Sequence, residues 1–351
     1  MNMAPRVSAV AAAIVAGLLV WPTALAAQSA ETTRVYRYLM GTSVEVEAFG
    51  RDVATRETAV REAFAAIAEV DRLMSNYRDD SELAAINRAA AREPVHVTAP
   101  MLAVLQTAER VSRASSGAFD VTVGPLVRLW GFHDKRPHLP LPSELRAVRQ
   151  LIDYRKLIID VAARTVRFAQ PGMELDLGGI AKGFAVELAA NVLRQHRLAG
   201  FIDAGGNQYL LGAPPGKRRW TVAVRDPETA ERVLGVIETG EGSVSTSADY
   251  ANALTVNGRT YGHILDPRTL QPSDAALSVT LVARDATLAD GLSKAAFILG
   301  PEAGLALIES VPGMAGVIVY RKPDGTRGLL VSAGIRDTFH PIAKVTTKNQ
   351  Q

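Results

Sequence analysis

Between Glu174 and Gly183, in the stretch ELDLGGIAKG, the chain changes its hydrophobic period. Apolar residues alternate up to Leu177, a Gly-Gly pair follows, and from Ala181 to about His196 apolar positions recur at helical spacing. A switch from period 2 to period 3.6 across adjacent glycines commits the backbone to an extended segment that turns tightly into a helix. Asp176 closes the extended part and the glycines let the backbone come close to a ligand. The first N–H groups of the helix then point outward, an arrangement that favours an anion. The competing reading is an ordinary glycine-rich turn with a solvated lysine. The spacing is neither of the common phosphate loops. Lys182 precedes a glycine rather than Ser or Thr, and Gly178, Gly179 and Gly183 do not follow G-x-G-x-x-G.

The rest of the chain mixes both periods. Val60, Phe64, Ile67 and Met74 mark a helix ending near Ser75. A second helix starts at Thr98, with Pro100 in its first turn, and runs out at Ser115-Ser116-Gly117. FIDAGG (201–206), WTVAVRD (220–226) and SVTLVARD (278–285) read as strands, and VIVYRKPDGTRGLLVS as a hairpin turning at Asp324-Gly325. HDKRPHLPLPSE (133–144) reads as an exposed loop, and Trp130 as a core residue. There are no repeats. The expectation is one compact α+β body of mixed, largely antiparallel sheets with packed helices, with room for two subdomains.

Bulk properties narrow the function classes. The 351 residues are 48% hydrophobic, enough for a large core, and the net charge of +3 is spread without a Lys/Arg run, so no nucleic-acid partner is expected. Cysteine is absent, which excludes disulfides, thiolate metal sites and a lipoprotein anchor. Arg6, an apolar run of about fifteen residues and Ala24-Leu25-Ala26 read as a signal peptide over 1–26 with cleavage after Ala26. The run falls short of the roughly 20 residues of a spanning helix. A periplasmic chain is expected, with its working domain over 33–340 and a polar tail over 341–351.

The segments MGTSVEVE (40–47), LMSNYRDDSELAAIN (73–87), SGAFDVTVGPLVRLWGF (116–132), ELDLGGIAKG, FIDAGGNQYLLG (201–212), GHILDPRT (262–269) and ADGLSKAAFILG (289–300) follow one another in that order. This series closely resembles the FAD:protein FMN transferase family, the ApbE flavin transferases, from about residue 33 to about 335. The resemblance implies that FAD is bound with Mg²⁺, that its pyrophosphate is cut, and that the FMN half goes to a threonine or serine of a target protein while AMP leaves. It places FAD contacts on Met40, Tyr77, Ala118, Phe119, Asp120, Asp176, Lys182, Ile264 and Leu265. It places metal contacts on Gly179 (through its carbonyl), Asp290, Ser293 and Lys294.

The chemistry of these residue types agrees with most of those roles. Met40, Tyr77 and Phe119 can wall a planar ring system, or can equally be core packing. Tyr77 follows a helix end and precedes RDDSE, so it is expected to face a cleft. Asp120 and Asp176 can accept hydrogen bonds from a nucleotide, or can be turn residues. Asp290, Ser293 and Lys294 share a helical face at i, i+3 and i+4, and a carboxylate there suits a hard cation that offsets phosphoryl charge.

Lys294 departs from the family, which typically has a threonine there, and an ammonium has no lone pair for a metal. Either Lys294 turns away or pairs with Asp290 while the other groups hold Mg²⁺, or its charge stands in for part of the ion. A second departure is Leu270, which follows Thr269 where the family often has glycine.

Of six histidines, His263 alone opens a motif and is the expected proton acceptor, or else a loop residue bonded to backbone. His96, His133, His138, His196 and His340 lack a chemical context, and surface placement is expected. The expected activity is FMN transfer to an acceptor protein, a subunit of an exported or membrane redox complex. The alternatives are an FAD-binding or FMN-carrier protein without transfer, and an FAD pyrophosphatase.

Overall fold

In this computed structural model the described residues are 32–342 apart from 135, 137, 249–253 and 257. The expected signal peptide and the tail beyond 342 lie outside them. Among the described residues eight strands form one sheet, and their order across it is their order along the chain. They are β1 (Thr32–Leu39), β2 (Thr42–Phe49), β3 (Ala199–Ala204), β4 (Asn207–Leu211), β5 (Gly242–Ala248), β6 (Ser278–Ala283), β7 (Ala315–Arg321) and β8 (Arg327–Val331). Every neighbouring pair is antiparallel.

Helices cover one face: α1 (Val53–Met74), α2 (Ala99–Ala114), α3 (Ala181–Gln195), α4 (Ala286–Leu299) and α5 (Pro301–Ser310). Local chemistry sets their ends where the sequence suggests. The Asp52 carboxylate accepts from the Thr55 amide at 2.7 Å and caps α1. Thr98 caps α2 with Pro100 in the first turn, and α2 stops where Ser116 and Gly117 take φ of 51° and 80°. The apolar stripe of α1, with Val60, Phe64 and Ile67 at 3% exposure or less, joins Val44, Val46 and Ala48 of β2 in the main core.

The other face is covered at one end by a three-stranded sheet of 220–226, 229–239 and 339–341. Val224, Ile237 and Phe339 pack there against Val317 and Val319, while Ile318 points into the main core. Strand β7 is therefore apolar at every central position, as a strand buried on both faces must be. A third cluster gathers around Trp130, which is 2% exposed and donates its indole N–H to the Leu270 carbonyl at 3.1 Å.

The extended segment expected before Gly178 forms without joining a sheet. Residues 174–177 alternate in burial, yet Glu174 makes only an isolated bridge to Val123. Leu175 instead exchanges both backbone hydrogen bonds with the Asn87 side chain, its N–H at 2.8 Å and its C=O at 3.0 Å. An amide side chain supplies one donor and one acceptor in the geometry of a peptide, so this segment is extended without a neighbouring strand. The expected loop at 133–144 ends in a short helix, Pro142–Arg149, which takes its last three residues.

Register decides where the insertions emerge. Leu39 faces Thr42 across the Met40-Gly41 turn, and Ala204 faces Asn207 across Gly205-Gly206. Val44 pairs with Ala204, Asn207 with Ser245, and Ala248 with Ser278. Both turns and the β5–β6 connection, which carries His263, therefore leave the same end of the sheet.

Candidate active site

At that end the Met40-Gly41 turn has both central residues at positive φ, 52° and 73°, the two-residue hairpin form that follows strand twist. Met40 is half-buried. Beyond the end of α1, Tyr77 is 71% exposed, with its ring stacked on His133 at a 5.1 Å centroid distance and 20° between planes. His133 Nε2 also lies 3.0 Å from the Asn76 carbonyl oxygen. His133, expected at the surface without a chemical context, is half-buried there with a ring partner. No spacing pointed to it, because its partners Asn76 and Tyr77 lie far upstream in the chain.

Asp176 accepts from the Gly178 amide at 2.8 Å. Burial pushes its carboxyl up, opposed by the Gly178 amide and by nearby His133, Lys182 and Asn76. Lys182 donates from Nζ to the Gly178 carbonyl at 3.0 Å. Phe119 is 6% exposed, and a Cβ on Gly179 would stand 3.1 Å from its ring. Phe119 thus supports the glycine turn from below instead of walling an open cleft.

Ala118, Ile264 and Leu265 are also buried, at 0%, 6% and 7% exposure. The Asp120 carboxylate is consumed in turn work, accepting from Thr122 N–H and O–H at 2.8 and 2.7 Å and from the Tyr154 amide at 2.8 Å. Of the residues proposed to touch FAD, the side chains of Met40, Tyr77, Asp176 and Lys182 are open to a ligand.

Where α3 crosses α4 the chemistry is tighter. Asp290 is fully buried, and its Oδ2 accepts from the Gly183 amide at 2.8 Å. The Ala181 amide donates to Leu177 at 2.9 Å. The outward-pointing first turn expected for this helix is thus corrected: two of its first three amides are already bonded. A Cβ on Gly183 would meet the Ala286 carbonyl oxygen at 2.3 Å, so only glycine allows this approach. In return Glu187 of α3 accepts from the Ala286 and Thr287 amides of α4 at 3.2 and 3.3 Å. The two helices cap each other, and Glu187 carried no sequence signal.

Lys294 pairs through Nζ with Asp290 Oδ1, its side chain 15% exposed. Burial lowers the Lys294 pKa, Asp290 opposes the fall, and the charge of Lys182 adds to it. The Ser293 hydroxyl donates to the Asp290 carbonyl at 2.8 Å and lies 2.7 Å from Ser247 Oγ and 3.3 Å from Ser245 Oγ of β5. His263 is brought to the same place. Its ring is pushed down from 6.5 to about 4, first by burial and then by the charges of Lys182 and Lys294. His138 and His196 sit in surface pairs with Glu144 and Glu62. Two shallow hollows elsewhere, around Leu151 and around Arg88, contain none of these site residues.

These residues do not fit Mg²⁺. The one central carboxylate holds an ammonium on one oxygen and an amide on the other. Mg²⁺ demands close octahedral oxygen ligands, and at 4 Å a fixed positive charge repels each unit of its charge by about 4 kcal/mol at an effective dielectric of 20. The metal role expected for Lys294 is corrected, because the lysine occupies the carboxylate that a metal would need.

The departure at Leu270 has a visible solution. Leu270 adopts φ 65° yet is 1% exposed, packed with Leu126 and Trp130. The left-handed turn that glycine makes at little cost is kept here by packing around a leucine.

Known proteins share this architecture. The sequence model of the ApbE family matches residues 40–318. The FAD:protein FMN transferase of Treponema pallidum (strain Nichols) is 34% identical over 316 residues, 85% of this chain and 86% of that protein. That of Klebsiella pneumoniae (strain 342) is 32% identical over 88% of this chain and 95% of its own. The crystal structure of the ApbE protein from Thermotoga maritima superposes with a TM-score of 0.79 at 29% identity, covering 86% of this chain and 97% of that one. The flavin transferase ApbE from Vibrio cholerae gives 0.79 at 30% identity, covering 88% and 99%.

Proposed function

This chain belongs to the ApbE family, and from that premise we propose that it is an FAD:protein FMN transferase. It moves the FMN half of FAD onto a threonine or serine hydroxyl of another protein and releases AMP. What carries the reading is the convergence, at one end of the sheet, of an exposed tyrosine stacked on a half-buried histidine, two lysines and a neutral imidazole.

The balance of the reaction is simple. The acceptor oxygen attacks the phosphorus on the FMN side, and the bridging P–O bond breaks with its electron pair leaving on AMP. The hydroxyl proton passes to the His263 ring, which is neutral at pH 7 and can accept it. Lys182 and Lys294 offset the phosphoryl charge that builds in transfer. Bound FAD brings negative charge beside His263 and cancels part of what depresses it, so the imidazole becomes a better base once substrate is present. Tyr77 and Met40 supply apolar surface for a ring system. The donor set does not suit the Mg²⁺ that the resemblance implies, because Asp290 is already bonded to Lys294 and to the Gly183 amide.

The reading includes export to the periplasm through the segment over 1–26, which makes a subunit of an exported or membrane redox complex the acceptor. Finding the mature N-terminus just after Ala26 in the periplasmic fraction tests this part. The transfer itself is tested by incubating the protein with FAD and a threonine-bearing acceptor. The expected outcome is AMP in equal amount to acceptor carrying covalent FMN. AMP with free FMN and unmodified acceptor would instead make the protein a pyrophosphatase, and binding without AMP a flavin carrier.

A further inference from the structure

Lys294 stands on the helical face where the resemblance implies a metal, and the structure shows what it does to the buried carboxylate beside it. Asp290 is fully buried in the crossing of α3 and α4, with no route to solvent of its own. A buried carboxylate needs a compensating charge and satisfied lone pairs. Both are provided from within the chain: Lys294 Nζ on Oδ1, and the Gly183 amide on Oδ2. Ser293, the hydroxyl on the same face, spends its proton on the Asp290 carbonyl and packs its oxygen against Ser247 and Ser245.

A second lysine completes the picture. The charge of Lys182 reaches Lys294, and both lysines act on His263. Lys182 directly precedes Gly183, whose amide is bonded to Asp290, so the two lysines flank one helix crossing and offer positive charge to a polyanion there. A lysine is a point charge well suited to phosphate oxygens. The side chain of Lys294 keeps 15% exposure, so it is not sealed off as Asp290 is.

We propose that the Lys294 ammonium replaces a divalent cation in this chain, so that Lys294 and Lys182 together hold the pyrophosphate of FAD without metal. The inference rests on the flavin-transfer reading of this site. Asp290 then serves as the counter-ion that holds the ammonium in place and caps α3. The substitution of a fixed charge for a bound ion also explains why the carboxylate can be fully buried.

The test compares FAD binding by quenching of flavin fluorescence in excess chelator and in excess Mg²⁺, with calorimetry of Mg²⁺ alone added to the protein. For the native chain the FAD dissociation constant should agree within about two-fold in the two conditions, and Mg²⁺ should give no binding heat. Lys294→Thr restores an oxygen and removes the charge. It should lose about ten-fold or more in FAD affinity in chelator, regain it with Mg²⁺, and bind Mg²⁺ by calorimetry. If Lys294→Thr does not fold, the native comparison decides alone. A native chain whose FAD affinity rises about ten-fold or more with Mg²⁺ overturns the inference and leaves flavin transfer standing. A native chain that binds FAD in neither condition overturns both.

Discussion

His263 shows how far a single residue's surroundings can be turned into a measurement. Its ring is neutral in the fold down to about pH 4, whereas in the unfolded chain it takes up a proton near 6.5. Between those values the unfolded state binds more protons, so stability falls as pH drops from about 6.5 to about 4 and the loss is complete below. The groups responsible are the buried surroundings first, then Lys182 and Lys294. The gap bounds the effect at about 3 kcal/mol. Chemical denaturation across that range should show a shallower pH slope for His263→Asn than for the native chain; equal slopes would remove His263 as the cause. Tyr77 offers a second residue-scale test. Since it is 71% exposed, Tyr77→Ala should leave folding intact yet weaken FAD binding by about ten-fold, the worth of a lost ring stack. His133→Ala should weaken it less, because it frees the tyrosine ring without deleting it. Unchanged FAD affinity in Tyr77→Ala would place the flavin and adenine rings elsewhere. Sequence alone pointed to Tyr77 through its motif but not to His133, since a stack between residues distant in the chain leaves no periodic trace.

At the scale of elements, local chemistry was legible and the meeting of elements was not. Thr98 with Pro100, the stripe of α1 and the Asp324-Gly325 hairpin all carry their instructions within a few residues, and all form as the sequence suggests. The extended segment before Gly178 has the right alternation but lacks a strand partner. Period 2 reports burial on one side and says nothing about who supplies the hydrogen bonds, here Asn87. The mutual capping of α3 and α4 was equally invisible, since Asp290 reaches Gly183 across 107 residues. That crossing makes a sharp prediction. Gly183→Ala would put a methyl 2.3 Å from the Ala286 carbonyl oxygen and 2.6 Å from Asp290 Cβ, backbone and near-backbone atoms that cannot swing aside. Helix propensity favours alanine by about 1 kcal/mol, but forcing the helices apart costs about 1–3 kcal/mol and breaks the Asp290 cap as well. The variant should therefore melt lower than the native chain, with FAD binding weakened as Asp290 and Lys294 shift. A higher melting temperature would mean that the helices separate more easily than their packing implies.

For the whole molecule, the eight-stranded sheet is a frame and the binding groups hang from its interruptions. Met40 sits in the β1–β2 turn, Tyr77, Asp176 and Lys182 in the long insertion between β2 and β3, His263 between β5 and β6, and Lys294 between β6 and β7. None of these insertions closes the site alone, so a ligand that touches all of them ties distant parts of the chain together. Ligands that bind only the native state stabilise it by mass action, by about 2.7 kcal/mol at a hundred-fold excess over the dissociation constant. The lysines meet the pyrophosphate and Tyr77 meets a ring, so the gain should depend on having both in one molecule. Thermal unfolding should rise clearly with FAD, less with ADP, which keeps the pyrophosphate and adenine, and hardly at all with riboflavin, which has the flavin ring but no phosphate. The order should survive a chelator, because the positive charge at this site belongs to the chain. Riboflavin matching FAD at equal concentration would show that the ring system dominates and that Lys182 and Lys294 do not read the pyrophosphate.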